Sequence, residues 1–200
     1  FVPFGLKKIK ITGGEPLVRR GLIDFIAKVF DMNTIQDISI TTNGVLLKDY
    51  AYALKKAGLK RLKISLDTLD ENKFKCITGA NQLKEVLNGI SIVTEMQFSP
   101  IKINTVIIKG INDDEILDFA KLSIENPYNI RFIEYMPTQN SIGWSKNKFI
   151  SSDEIKTQLM AFGELCQTSD VSGAGHAKYF RFKGALGTIG LISPVSNPFC

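Results

Sequence analysis

The sequence has few cysteines, one histidine and no long hydrophobic run, and each shortage excludes a class of protein. Its three cysteines, Cys76, Cys166 and Cys200, are too widely spaced for a disulfide framework, which favours a reducing compartment. No apolar run approaches the roughly 18 residues of a membrane span, and residues 1–30 lack a signal-peptide pattern. The single histidine, His176, lies in a glycine-rich loop and offers no catalytic triad.

The net charge of +5 indicates an anionic partner. The basic residues are scattered singly or in pairs among acidic ones, so we interpret them as an ordinary enzyme surface and expect no nucleic acid. Cys76 and Cys166 lie in segments with helical spacing, and we expect both to be buried as small hydrophobic residues.

Short strand-like runs alternate with segments in which apolar residues recur every three or four positions. The strand-like runs are 8–12, 38–42, 61–66, 101–107 and 130–134, and the helical segments are 19–30, 47–57, 83–94 and 113–124. This alternation predicts an α/β protein with a parallel sheet, and both a doubly wound sheet and a barrel fit the spacing.

The rhythm changes after Met136, where a polar loop begins. A capping box at Ser151 and Glu154 opens a further helix, and the runs "AKYFRFKG" and "LGTIGLISPVS" predict an antiparallel pair of strands. We therefore predict a barrel core over residues 1–136 and a C-terminal extension over residues 137–200.

Polar and apolar residues alternate along the predicted strands. In the first strand Lys8 and Lys10 share one side while Ile9 and Ile11 share the other, and four of the five strands carry a cation on the polar side. A packed barrel interior is normally apolar, and burying an unpaired ammonium is costly. The pattern predicts a wide or incompletely closed barrel that holds a polar anion, although individual lysines at strand ends would also reach bulk water.

Small and polar residues follow the strands, at the edge where parallel α/β folds bind ligands. Gly13, Gly14 and Glu15 follow the first strand in "TGGEP", and glycines there let main-chain N–H groups approach a ligand. Ser65 follows the third strand in "SLDT". A tight turn and a helix cap are the alternative interpretations of these two motifs.

Together the motifs "KIKITGGEPLVRR", "ITTNG", "KISLDTL", "IKINTVIIKGINDDE", "RFIEYMP" and "LISPVSNPFC" resemble the GTP 3′,8-cyclases of molybdenum cofactor biosynthesis, which are radical S-adenosylmethionine enzymes. The resemblance implies an incomplete, TIM-type (β/α)6 barrel with an extension that carries a second iron–sulfur cluster. It also implies two [4Fe–4S] clusters and S-adenosylmethionine as cofactors. In that chemistry a 5′-deoxyadenosyl radical abstracts the ribose 3′ hydrogen of GTP, and the C3′ radical attacks guanine C8.

The resemblance assigns roles residue by residue. S-adenosylmethionine would be bound by Gly13, Gly14, Glu15, Ser65 and Met136. GTP would be bound by Lys8, Lys10, Thr41, Lys102 and Arg131. Lys10 stands where many members have arginine, which keeps the charge but loses the bidentate fork. Cys200 matches the first ligand of the second cluster, and no side chain is implied as a catalytic acid or base.

The sequence departs from the family pattern at its two ends. The Cys-x-x-x-Cys-x-x-Cys loop of the first cluster is absent, as are the cysteines that would follow Cys200. We therefore expect a fragment that is inactive by itself and belongs to a longer enzyme.

The resemblance also implies partners and a location. GTP is the expected substrate, a flavodoxin or ferredoxin the electron donor, and cyclic pyranopterin monophosphate synthase the downstream enzyme, with no membrane partner and with a homodimer as a further expectation. The compartment would be bacterial cytoplasm, or the mitochondrial matrix in a eukaryote. Three alternatives stay open: a radical enzyme that modifies peptides, an iron-free barrel enzyme for a sugar phosphate, and a nucleic-acid binder.

Overall fold

A computed structural model describes residues 5–32, 34–137, 146–169, 171 and 175–198 of the chain. The described helices are α1 (Leu22–Asp31), α2 (Leu47–Lys56), α3 (Glu71–Thr78), α4 (Leu83–Glu95), α5 (Ile116–Glu125) and α6 (Ser152–Phe162). The described strands are β1 (Lys8–Ile11), β2 (Asp37–Thr42), β3 (Arg61–Ser65), β4 (Ile101–Ile107), β5 (Tyr128–Glu134), β6 (Leu165–Thr168), β7 (Lys178–Phe182) and β8 (Thr188–Ile192). These elements form two compact units, one from Phe1–Ser65 with Asn81–Ile101 and one from Leu66–Ala80 with Lys102–Cys200.

In the first unit β1, β2 and β3 pair in parallel, and each is followed by a helix. The apolar side of this sheet is buried at Ile38, Ile40, Leu62 and Ile64, and its helices bury Leu47. Helix α4 approaches the start of α2 so closely that a Cβ on Gly89 would lie 2.8 Å from the Cβ of Leu47. Helices and strands thus share one apolar core, which leaves the opposite side of the strands polar.

In the second unit the strand order is β4, β5, β8, β7, β6. Strand β8 is parallel to β5, whereas β7 is antiparallel to both β8 and β6. Helices α5 and α6 pack on one side of these strands through edge-to-face aromatic contacts. The ring centroids of Phe119 and Phe132 are 6.4 Å apart, and those of Phe162 and Phe182 are 5.7 Å apart.

The predicted α/β alternation, the capping box of α6 and the antiparallel pair β7–β8 are confirmed. Strand β6 was not predicted, and helix α3 was expected only as a helical segment around Cys76, without bounds. Helix α3 is short and carries a single buried residue, Phe74. Strand β6 is a four-residue edge strand with no fully buried position, so neither element has the periodic apolar signal on which the prediction relied.

The prediction that Cys76 and Cys166 are buried is wrong, because both side chains are exposed. Cys76 lies two positions after Phe74 on the short helix α3, and so turns away from the side that packs on the core. Cys166 lies on the edge strand β6, so the expectation that it belongs to a helical segment is also wrong. Throughout the described ranges every helix is too short or too polar to traverse a lipid bilayer.

Candidate functional site

The polar side of the first unit's strands is the side opposite the buried isoleucines and leucines. The parallel register places Lys10 beside Ser39, Ser39 beside Arg61, and Thr41 beside Lys63. Paired residues of neighbouring strands point to the same face. The predicted alternation is therefore present, with Lys10 exposed at the sheet edge.

One cation on this face is already neutralised. Nη1 of Arg61 lies 2.5 Å from Oδ2 of Asp37 on the neighbouring strand, and the two side chains are only 17% and 19% exposed. Within the described part of the chain, neither Lys8 nor Lys10 has an ion-pair partner. These two ammonium groups are therefore available to an anionic ligand.

The glycine turn after β1 is open to a ligand. Gly13 has φ of +143°, a conformation that side-chain-bearing residues rarely adopt, and a Cβ on Gly13 or Gly14 would meet nothing within 4 Å. The turn borders a cavity of about 370 Å³, the size of a metabolite site. Its lining comprises Ile11, Thr12, Gly13, Gly14, Glu15, Pro16, Arg19, Arg20, Gly21, Leu22 and Phe25.

The Glu15 side chain links the turn after β1 to the turn after β2. Its Oε1 accepts hydrogen bonds from the Leu17 N–H at 3.0 Å and from the Thr42 hydroxyl at 2.7 Å, and its Oε2 accepts one from the Asn43 N–H at 2.7 Å. A carboxylate oxygen can accept about two hydrogen bonds. Oε2 therefore retains capacity for a ligand ammonium, and the predicted contact with S-adenosylmethionine stays a prediction.

A Glu15→Ala variant is expected to lose about 2–3 kcal/mol of stability, because three donors lose their acceptor in a partly buried turn. Denaturant titration measures the loss, and amide hydrogen exchange at Leu17 and Asn43 locates it. Asp24→Ala, which removes an exposed carboxylate from α1, is the matched control and should change stability by less than about 0.5 kcal/mol. Equal losses in the two variants would contradict the clamping role.

Beyond β3, Ser65 is exposed in the first unit, and a separate polar network begins at Asp67 in the second. Oδ1 of Asp67 accepts a hydrogen bond from the Val106 N–H at 2.8 Å. Burial raises the pKa of the Asp67 carboxyl, and the Val106 hydrogen bond only partly opposes this. The cap of α3 is Asp70, which accepts from the Lys73 N–H, so Asp67 does not serve as a helix cap.

The second unit's strands carry cationic side chains on the side that faces away from α5 and α6, which we call the cationic face. Lys102 is only 1% exposed, and its Nζ lies 5.8 Å from the ring centroid of Tyr179. Gly190 lies between Tyr179 and Arg131, because a Cβ on it would be 3.0 Å from Cε1 of Tyr179 and 3.2 Å from Cγ of Arg131. Lys102, Arg131 and Tyr179 therefore share one face.

Several polar atoms on the second unit's strands are buried without a hydrogen-bond partner among the described residues. They include Oδ1 of Asn104, Nε of Arg131 and Nε of Arg181. Neither Asn104 nor Arg181 was among the predicted site residues. The alternation in "KYFRF", the same signal that selected Lys8 and Lys10, places Arg181 on the side of Tyr179 and would have found it.

Glu134, at the end of β5, is the third residue that the sequence reasoning missed. It is fully buried and accepts hydrogen bonds from the N–H groups of Ser152, Val195 and Ser196 at 2.8, 3.0 and 2.9 Å, and from the Ser196 hydroxyl. Burial raises the pKa of this carboxyl, but the hydrogen bonds from Ser196, Ser152 and Val195 outweigh it and leave the pKa below its ordinary value. Glu134 thus fixes the turn at 195–196.

Met136, two residues after Glu134, is exposed. Cys200 lies outside the described residues. Within the described ranges no group of three or more histidine, cysteine, aspartate or glutamate side chains is arranged to hold a metal ion. The open glycine turn fits a small organic cofactor, whereas the described side chains by themselves do not form a cluster site.

Comparison with known proteins decides the family. A model of the Radical SAM superfamily matches residues 1–123. The chain belongs to this superfamily. A second model, described as Molybdenum Cofactor Synthesis C, matches residues 128–200 of this radical SAM chain.

Curated relatives resemble the radical SAM chain along its whole length. A GTP 3′,8-cyclase of Thermodesulfovibrio yellowstonii is 47% identical over 201 residues, which cover 100% of this chain and 62% of the relative. A GTP 3′,8-cyclase of Alkaliphilus metalliredigens is 43% identical over 196 residues, covering 98% and 60%. The resemblance that the motifs indicated is confirmed, and the chain spans about 60% of the length of these relatives.

Solved structures support the fold. Streptococcus suis SuiB bound to S-adenosylmethionine superposes with a TM-score of 0.64 at 21% identity, over 78% of this chain and 36% of SuiB. A domain of a pyruvate-formate lyase-activating enzyme from Bacteroides vulgatus gives a TM-score of 0.59 at 21% identity, over 78% and 91% of the two chains. The predicted fold class, a partial TIM-type radical SAM fold with parallel strands, is confirmed.

Proposed function

We propose that the chain is the larger part of a GTP 3′,8-cyclase, which forms the first cyclised intermediate of molybdenum cofactor biosynthesis. The observation that carries the proposal is the cationic face of the second unit, where Lys102 and Arg131 are directed away from the helices. The Nε of Arg131 is buried without a hydrogen bond among the described residues, which favours an anionic ligand, and Lys102 adds a second positive charge to the same face. The names of the relatives supply the identity of that anion, GTP.

We assign the substrate contacts residue by residue. GTP is contacted by Lys8, Lys10, Thr41, Lys102 and Arg131, with the cations directed at its triphosphate. Lysine can neutralise a phosphate as a point charge, while the Arg131 fork can bind one bidentately. We assign no described side chain as a general acid or base, because positioning and charge are what the protein would contribute.

S-adenosylmethionine is assigned to Gly13, Gly14, Glu15, Ser65 and Met136, with Glu15 as the partner of its ammonium. Bound at a [4Fe–4S] cluster, it would supply the radical that removes the ribose 3′ hydrogen of GTP. The glycine turn leaves room for the methionine portion beside the main chain. Cys200 is assigned as one ligand of a second [4Fe–4S] cluster, and the other cluster ligands lie in the full-length protein.

The remaining assignments follow from the same proposal. A flavodoxin or ferredoxin would deliver electrons, cyclic pyranopterin monophosphate synthase would take the product, and the enzyme would act as a homodimer in bacterial cytoplasm or the mitochondrial matrix. The barrel core would comprise residues 1–136 and the extension residues 137–200, with the isolated chain inactive.

The decisive experiment follows the transferred hydrogen atom. Full-length protein with reconstituted clusters is incubated anaerobically with a reductant, S-adenosylmethionine and GTP deuterated at C3′. We expect one deuterium in the 5′-deoxyadenosine, together with the 3′,8-cyclised dihydro-GTP, both measured by mass spectrometry. Unlabelled 5′-deoxyadenosine and unchanged GTP would contradict the proposal, and turnover of a peptide instead would favour a peptide-modifying enzyme.

A Lys102→Ala variant of the full-length protein is expected to bind GTP at least tenfold more weakly and S-adenosylmethionine normally, because it removes a charge directed at the triphosphate. Calorimetric titration with each ligand measures both affinities. Lys109→Ala removes an exposed cation two residues beyond β4 and is the control, with a change below twofold expected. Gly14→Val should show the reverse selectivity; equal loss of both ligands in Lys102→Ala would contradict the assignment.

A further inference from the structure

Arg181 lies on the same face of the second unit as the proposed GTP residues. It follows Tyr179 by two positions in β7, so the two side chains point to one side of the sheet. Tyr179 is paired with Gly190, and Gly190 with Arg131. With strands about 4.8 Å apart and residues about 3.4 Å apart along each, the Cα atoms of Arg131 and Arg181 lie about 12 Å from each other. At this separation the two arginine side chains can both contact one extended anion.

Neither guanidinium has a counter-ion among the described residues. Nε of Arg131 and Nε of Arg181 are both buried without a hydrogen bond. The described residues on this side of β5, β7 and β8 include Asn129, Tyr179, Thr188, Gly190 and Ile192, and none of these is acidic. On the other side of β7, Arg181 is paired with Cys166 of β6, and the nearby Glu164 forms its ion pair with Lys183. Both residues are half-buried, and a buried N–H without an acceptor is unfavourable, so a ligand that supplies the acceptor would be favoured.

The next cation in the chain shows the contrast. Lys183 has a side chain that is 80% exposed, and its Nζ lies 3.3 Å from Oε2 of Glu164. The charge of Lys183 is therefore both exposed to water and paired with a carboxylate, so its position does not indicate a ligand. Arg181 differs from it in burial and in pairing, though only one residue separates them.

We propose that Arg181 binds a phosphate group of GTP and, with Arg131, forms a pair of guanidinium forks along the triphosphate. This assignment rests on the proposed function and adds a residue to it. The fork geometry suits the paired oxygens of a phosphate better than a point charge does. Arg181 would therefore distinguish GTP from guanosine and contribute nothing to recognition of the base.

The test compares Arg181→Gln with Lys183→Gln in the full-length protein carrying both clusters, titrated anaerobically with GTP and, separately, with guanosine. We expect Arg181→Gln to weaken GTP binding about tenfold and to leave guanosine binding within twofold of the unaltered protein. Lys183→Gln should leave both affinities within twofold. GTP affinities that are equal in the two variants would overturn the inference, as would an equal loss of GTP and guanosine in Arg181→Gln.

Thermal unfolding without nucleotide checks the fold. Arg181→Gln should keep or slightly raise the midpoint, because it removes a half-buried side chain whose Nε has no hydrogen-bond partner among the described residues. If Arg181→Gln fails to fold, the Arg181→Lys variant replaces it in the test. Arg181→Lys retains the charge without the fork and should bind GTP about threefold more weakly. An unchanged GTP affinity in Arg181→Lys would overturn the guanidinium contact. If the unaltered protein binds no GTP, the proposed function itself is refuted. If it binds GTP and substitution of Arg181 has no effect, only the inference about Arg181 is refuted.

Discussion

A Glu134→Gln variant is expected to lose about 4 kcal/mol of stability at neutral pH, because its carboxylate is a shared acceptor for four donors in a fully buried site. A glutamine keeps one acceptor oxygen but directs an NH2 group at N–H groups that also donate. The start of α6 and the turn at 195–196 would both lose their attachment to the end of β5. Amide hydrogen exchange at Ser152, Val195 and Ser196 should rise by orders of magnitude.

The same substitution has a characteristic pH dependence. The pKa of Glu134 lies below its ordinary value of 4.5, so the folded state binds the proton less readily than the unfolded state. The carboxylate's contribution is complete above about pH 4.5 and is lost as the pH falls through the lower pKa of the folded state. Denaturant titrations from pH 7 to pH 3 should therefore show the difference between Glu134→Gln and the unaltered protein shrinking in acid.

Glu154→Gln is the matched control for this carboxylate. Glu154 is exposed and forms the capping box of α6, where hydrogen bonds from the backbone and side chain of Ser151 hold its pKa below the ordinary value. The pH trend should have the same sign, with a loss of only about 1 kcal/mol at pH 7 because water replaces the lost contact. A loss in Glu134→Gln no larger than this would contradict the anchoring role.

Much of the fold could be predicted from the sequence because apolar residues recur at every second position in strands that bury one face. That signal is local, and it placed Lys10 and Lys102 on the polar faces where the structure has them. Helix α3 and strand β6 lack such a signal, since each is short and mostly exposed. Exposure of Cys166 depends on the sheet order, which puts β6 at an edge that no periodicity reveals.

The parts of the site that depend on contacts between residues far apart in the sequence could not be predicted. Asp37 neutralises Arg61 only because β2 lies beside β3, and Glu134 meets Ser196 across 62 positions of the chain. The sequence predicts a ligand contact for Glu15, but two of its three hydrogen bonds come from Thr42 and Asn43, which meet it only because β1 and β2 pair. Lys102 also lies near the ring of Tyr179, which is far away in sequence.

A Gly187→Ala variant is expected to lose more than about 3 kcal/mol of stability, because the position immediately before β8 has no room for a side chain. A Cβ there would lie 2.1 Å from the carbonyl oxygen of Tyr128 and 2.7 Å from that of Asn126. Both are main-chain atoms at the start of β5, so neither can rotate away. The Gly187 N–H also donates to the Ser123 carbonyl at 2.7 Å, which fixes the segment from the other side.

Gly184→Ala is the control that separates crowding from backbone strain. Gly184 has φ of +77°, yet a Cβ on it would meet nothing within 4 Å, so only the conformational penalty of about 1 kcal/mol applies. Equal losses in the two variants would show that crowding at Gly187 is relieved by a small shift. A shift of β8 would also move Gly190 from between Arg131 and Tyr179. Gly187→Ala should therefore weaken GTP binding in whatever protein remains folded, whereas Gly184→Ala should leave it unchanged.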